Sequence, residues 1–146
     1  MSKAREEHAI VVRDLHKSYR LGHVKLDVLR GVDFAVRTGE FVAVEGQSGS
    51  GKSTLLHLLG LLDRPDRGTV LLEGQDAATL PARRRNRIRC RDVGFVFQFY
   101  HLLPELTVLE NVLMPALIDG SVFGGHRRRA AVRSRAGELL EMVGLS

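Results

Sequence analysis

One stretch, Gly46-Gln47-Ser48-Gly49-Ser50-Gly51-Lys52-Ser53, sets three glycines, a lysine and a hydroxyl at a spacing suited to gripping a chain of phosphates. The pattern is Gly, four free positions, Gly, Lys, then Ser or Thr. Gly46, Gly49 and Gly51 allow backbone angles closed to other residues and let the main chain approach an anion with no Cβ in the way. N–H groups from about Ser48 to Thr54 then form a nest at the positive end of a helix. Lys52 supplies a mobile positive charge for the β- and γ-phosphates, and the Ser53 hydroxyl is placed to ligate Mg²⁺. The bland alternative, a glycine-rich turn that binds nothing, requires all eight positions and both flanks to coincide by accident.

Those flanks carry the argument, because such a loop works only between a strand and a helix. Upstream, Phe41-Val42-Ala43-Val44 is a short apolar run behind Thr38-Gly39, the pattern of a strand buried on both faces of a parallel sheet. Downstream, residues 52–62 hold six leucines, apolar nearly all round, which predicts a helix buried between a sheet and its neighbours.

The preceding 45 residues contain a β-prone run, Ala9-Ile10-Val11-Val12, and an alternating one through Val32, Phe34 and Val36. Between them Ser18-Tyr19-Arg20-Leu21-Gly22-His23 carries turn signals and one aromatic side chain that the strand pattern does not need. Small-molecule kinases and many GTPases open on the phosphate loop, so this long β-rich lead disfavours them, as does the lack of an Asn-Lys-x-Asp guanine-reading motif. After the helix, residues 63–68 form a turn and 69–74 a strand. A helix is predicted from Thr79 or Leu80 to Arg91 with Pro81 in its first turn, then a strand over 92–98 ending on Gln98. The loop Phe99-Tyr100-His101-Leu102-Leu103-Pro104-Glu105 holds many large apolar side chains, fitting equally a core-facing loop or a partner-binding surface. Thr107-Val108-Leu109-Glu110 reads as a capping box opening a helix that Pro115 ends or kinks. A flexible connection spans 120–125, and from His126 a longer helix places Val132, Ala136, Leu139, Leu140 and Val143 on one face.

A chain of 146 residues with 44% apolar content fits one domain. Its start, Met1-Ser2-Lys3-Ala4-Arg5-Glu6-Glu7, is charged, unlike a signal peptide, and no apolar run reaches membrane-span length, so a cytoplasmic location is expected. Cys90 is the only cysteine, which excludes an internal disulfide, and the six histidines lack metal-binding spacing. Much of the net charge of +5 comes from Arg83, Arg84, Arg85, Arg87, Arg89 and Arg91 and from Arg127, Arg128, Arg129, Arg133 and Arg135. Neither group is interleaved with aromatics, so solvated helix faces are favoured over a contact role, and no nucleic-acid partner is expected.

With these pieces placed, the sequence resembles the ATP-binding subunit of ABC transporters, closest to the lipoprotein-releasing and macrolide-export branch. The resemblance rests on Lys17-Ser18-Tyr19-Arg20, on the loop from Gly46 to Ser53, on Leu58-Leu59-Gly60-Leu61-Leu62-Asp63-Arg64-Pro65, on Gly94-Phe95-Val96-Phe97-Gln98, and on residues 102–112. It implies an α/β phosphate-loop ATPase of ABC type over 1–146. Residues 1–40 and 66–75 would supply an antiparallel β-subdomain, 41–62 the phosphate-loop strand and helix, 92–98 a strand into the Q-loop, and 99–146 a helical subdomain. The core parallel sheet would be partial and the C-terminal part missing.

The resemblance also implies roles. Tyr19 would stack on adenine, Gly46 through Thr54 would hold ATP, and Ser53 and Gln98 would contact Mg²⁺, with Gln98 and Lys52 serving catalysis. Residues 99–105 would dock an integral membrane permease, two ATPase subunits would form a homodimer, and the protein would sit on the inner face of the bacterial plasma membrane. A cell-division ATPase acting through a membrane partner, and a nucleotide-binding fragment without turnover, are the alternatives. The family's Leu-Ser-Gly-Gly signature, Asp-Glu strand and switch histidine are not found in the sequence. The 146 residues are therefore expected to be a partial cassette, inactive alone and with core strands lacking neighbours.

Overall fold

A computed structural model describes residues 8–120 and 125–145. The start of the chain and most of the connection expected at 120–125 lie outside them. The chain divides into two compact units, Met1–Arg85 and Asn86–Ser146. No helix among the described residues is long and apolar enough to cross a membrane.

The first unit is built on a hairpin of β1 (His8–Leu21) and β2 (Val24–Arg37), joined at Gly22-His23. Gly22 has a φ of 62°, and a glycine at the first central position of a two-residue loop lets the strand pairing run to its end. After β2 come α1 (Lys52–Leu59), β3 (Arg67–Leu72) and the short β4 (Gln75–Asp76). The four strands form one antiparallel sheet in the order β2-β1-β3-β4. Its buried core holds Val12, Leu15, Leu29 and Val70 from the strands with Leu55 and Leu58 from α1 and Leu61 beyond it.

Three expectations are corrected here. Residues 18–21 are not a turn: Tyr19 lies within β1, opposite Leu26, because hairpin backbone pairing overrides the polar side chains. Helix α1 stops at Leu59 rather than Leu62 and is buried on one face only, with Leu56 and Leu62 exposed. Among the described residues the strands of the partial parallel sheet are not paired. Residues 41–44 and 93–97 are in no strand, and Phe41 and Val96 are 96% and 100% exposed. An apolar run becomes a strand only when a neighbour completes its N–H and C=O ladder, and among the described residues no strand pairs with either run. The exposure expected of core strands without neighbours is what these runs have.

Helix α2 (Ala82–Arg91) follows Pro81, whose carbonyl accepts from the Arg85 N–H. The second unit continues with α3 (Val108–Ile118) and α4 (His126–Met142). Thr107 caps α3 as read from the sequence: its hydroxyl accepts from the Glu110 N–H at 3.3 Å, and its own N–H donates to the Glu110 carboxylate at 2.8 Å. The helix carries on past Pro115 to Ile118, so Pro115 does not end it. On α4 Ala136 is buried and Val132 and Leu140 are half-buried, whereas Leu139 and Val143 are exposed.

Candidate functional site

The phosphate loop leaves the exposed segment 41–45 and enters α1 at Gly51, which has φ 94° and ψ 5°. Gly46 and Gly49 also have positive φ, at 153° and 79°. The loop therefore uses the left-handed freedom that the sequence pattern anticipated. Ser50 N–H closes a turn onto the Gln47 carbonyl at 3.2 Å. At the start of α1 there is no side-chain cap and no acidic residue in the first turn. The helix end thus presents amide donors and partial positive charge with no carboxylate to compete for them, which suits an anion.

Lys52 reaches back across the loop. Its Nζ donates to the carbonyls of Gly46 at 2.8 Å and Gln47 at 2.7 Å, with the Ser50 hydroxyl at 3.5 Å. These are neutral acceptors, so an arriving phosphate would offer a stronger, charged partner. Ser53 is exposed on the first turn of α1. Among the described residues no cluster of three or more His, Cys, Asp or Glu could hold a metal ion alone. A Mg²⁺ bound by the phosphates would find the Ser53 oxygen on the first turn of α1.

Tyr19 stands at the far end of a chain of contacts that begins at the same helix. Its hydroxyl donates to Asp63 Oδ2 at 2.9 Å, and the Lys17 ammonium lies 5.1 Å from the ring centroid. Burial, then the hydrogen bond to Asp63, pushes the phenol above its ordinary pKa, partly offset by the Thr54 side chain. Lys17 is buried and pinned: its Nζ donates to the Arg64 carbonyl at 2.7 Å and pairs with Asp63 at 2.9 Å. Ser18 adds bonds from its N–H and hydroxyl to Asp66, at 2.7 and 2.6 Å. Burial acts to raise the Asp63 carboxyl, but hydrogen bonds from Lys17, the Arg64 N–H and Tyr19 outweigh it and hold the pKa below the usual range. The Ser18 hydroxyl, then the Ser18 N–H, lowers that of Asp66.

Gln98 belongs to the second unit, as an exposed residue at a bend rather than at the end of a paired strand. Before it Phe95 and Phe97 stack with centroids 5.2 Å apart, and the His101 ring tilts against Phe97 at 4.8 Å. His101 has a φ of 48° and its Nδ1 meets the Phe99 carbonyl at 2.7 Å. Phe99, Tyr100 and Leu102 are exposed. Its far end is clamped by Asn111, whose amide donates to the carbonyls of Leu103, Leu106 and Thr107 and whose Oδ1 accepts from the Leu103 N–H at 2.9 Å.

Tyr19 and residues 46–54 thus share one unit. Lys17, Asp63 and Asn111 lie within the sequence motifs, which assign them no role. The Lys17–Asp63 pair joins residues some 46 positions apart, beyond any local pattern; for Asn111 the signal was an amide one turn into a capped helix.

A family model described as ABC transporter matches residues 29–146. The chain belongs to the ABC transporter family. An ABC transporter ATP-binding protein of Thermotoga maritima is 54% identical over 132 residues, covering 90% of this chain and 54% of the relative. Lipoprotein-releasing system ATP-binding protein LolD 2 of Caulobacter vibrioides is 53% identical over 136 residues, 93% of this chain and 57% of that protein. Among solved structures, the ATP-binding cassette MJ0796, dimeric in a post-hydrolysis state with ADP and Pi, matches with a TM-score of 0.80 at 36% identity. That match covers 94% of this chain and 58% of the cassette. The chain spans a little over half the length of these relatives and has the α/β fold of the corresponding part of an ABC cassette.

Proposed function

We propose that the intact protein is the ATP-binding subunit of an ABC transporter that couples ATP binding and hydrolysis to export or lipoprotein release through a membrane permease. The observation that carries this is the phosphate loop: positive-φ glycines, an uncapped α1 N-terminus and Lys52 folded over both. The named relatives favour transport over the cell-division reading.

In this reading the amides of residues 48–54 and the Lys52 ammonium surround the β- and γ-phosphates of ATP. Lys52 gives up the Gly46 and Gln47 carbonyls to do so. Ser53 would hold Mg²⁺, which neutralises charge on the transferred phosphoryl group. The chain's own part is electrostatic positioning, with donors aimed in advance at oxygens whose charge rises during the reaction. Tyr19 stacks on the adenine, and Gln98 senses the metal and the attacking water. The exposed aromatic loop 99–105 docks the permease, which would place the protein peripherally on the inner face of the membrane. A second copy would complete a homodimer, as in the dimeric cassette above.

Calorimetric titration of the intact protein with MgATP tests the loop. Lys52→Ala removes two charge-assisted bonds to phosphate and should weaken binding about 100-fold and abolish transport. Near-normal affinity together with normal transport would refute the assignment.

A further inference from the structure

We propose that Lys17 and Asp63 are positioning residues that fix the Tyr19 ring as the platform for the nucleotide base. The inference rests on the nucleotide reading above and concerns how its base end is set.

A tyrosine on a strand can turn about two side-chain torsions, and a stacking platform needs both held. Here the phenol is tied to Asp63 Oδ2 at 2.9 Å, and the Lys17 ammonium sits against the ring at 5.1 Å from its centroid. The same Asp63 oxygen receives Lys17 at 2.9 Å, so one carboxylate holds the tip of the ring and the cation against it. Lys17 is itself immobile, being buried and bound to the Arg64 carbonyl at 2.7 Å. It therefore cannot serve as a second phosphate lysine; its charge is spent inside the cluster. Tyr19 keeps 40% of its surface exposed, leaving room for a base.

The cluster is also tied to the phosphate grip. Helix α1 begins at the loop and ends at Leu59; the Leu62 N–H bonds back to the His57 carbonyl at 2.8 Å, and the Asp66 N–H to the His16 carbonyl at 3.0 Å. The Thr54 side chain, on the first turn of α1, bears on the Tyr19 phenol. The spacing between base platform and phosphate loop is thus set by α1 and the hydrogen-bonded turn that follows it. A cation on one face of an aromatic ring and a hydrogen-bonded hydroxyl leave the ring pre-oriented, so binding a base costs little ordering entropy.

The test separates base from phosphate. Intact wild-type, Asp63→Asn and Tyr19→Phe/Asp63→Asn proteins, with Tyr19→Phe as reference, are titrated with MgATP and with inorganic triphosphate plus Mg²⁺. Asp63→Asn should weaken ATP about five- to tenfold and leave triphosphate within about twofold, and its effect should be clearly smaller in the Tyr19→Phe background than in wild type. Equal loss for both ligands would mean that Asp63 only props up the loop, and no loss for either would mean that it holds nothing; each overturns the inference. A wild-type protein that binds neither ligand refutes the phosphate-loop reading and the inference with it.

Discussion

Replacing Gly51 by alanine gives the sharpest check on how the phosphate loop is held. Gly51 sits at φ 94°, where an L-residue costs about 1–2 kcal/mol. A Cβ there would also lie 2.9 Å from Leu29 Cδ2, 3.1 Å from Val28 Cγ1 and 3.2 Å from the Val28 carbonyl oxygen. Leu29 is buried, and the Val28 backbone belongs to β2, so neither can yield without disturbing the hairpin. Overpacking of this kind adds about 1–3 kcal/mol. The total, about 2–5 kcal/mol, is a large share of the ~5–15 kcal/mol that holds a domain together. Gly49→Ala is the internal control. Its φ of 79° brings the same conformational cost, but a Cβ would meet nothing within 4 Å. Thermal unfolding of the intact protein should show Gly51→Ala melting about 5–15 °C lower and Gly49→Ala only a few degrees lower. MgATP affinity should fall in both, because each distorts the amide nest. A Gly51→Ala protein that melts within a degree or two of wild type, or no lower than Gly49→Ala, would refute the packing of α1 against β2 on which this reasoning stands.

Two further outcomes are expected. Asn111→Ala removes four hydrogen bonds around Leu103, Leu106 and Thr107, costing about 1–3 kcal/mol locally. Hydrogen exchange at the Leu103 amide should speed up at least about tenfold, and an unchanged rate would show that the clamp is not what orders the loop. For acid stability, Asp63 and Asp66 have folded pKa values below their unfolded ones. Their stabilising contribution is present above the unfolded carboxyl value and is lost as pH falls through the folded one. Urea midpoints should be level from pH 7 to about 5 and drop below about pH 4, less steeply in Asp66→Asn. A midpoint that rises between pH 5 and 3 would contradict the assignment.

Features that short-range physics controls were legible before the chain folded. The glycine spacing of residues 46–51, the opening of α1 at Lys52 and the Thr107–Glu110 cap depend on residues within a few positions of each other, and all three stand in the structure. The tertiary structure alone decided the rest. Apolar runs at 41–44 and 93–97 have strand-like composition, but a strand is a pairing with a distant neighbour, and composition cannot supply the neighbour. Tyr19 was legible as an aromatic side chain the strands did not need. That it would be tied to Asp63 and backed by Lys17 depended on β1 and the end of α1 folding together across more than 40 positions. Helices and caps are written in adjacent residues, whereas ladders and buried ion pairs exist only once the chain has returned to itself.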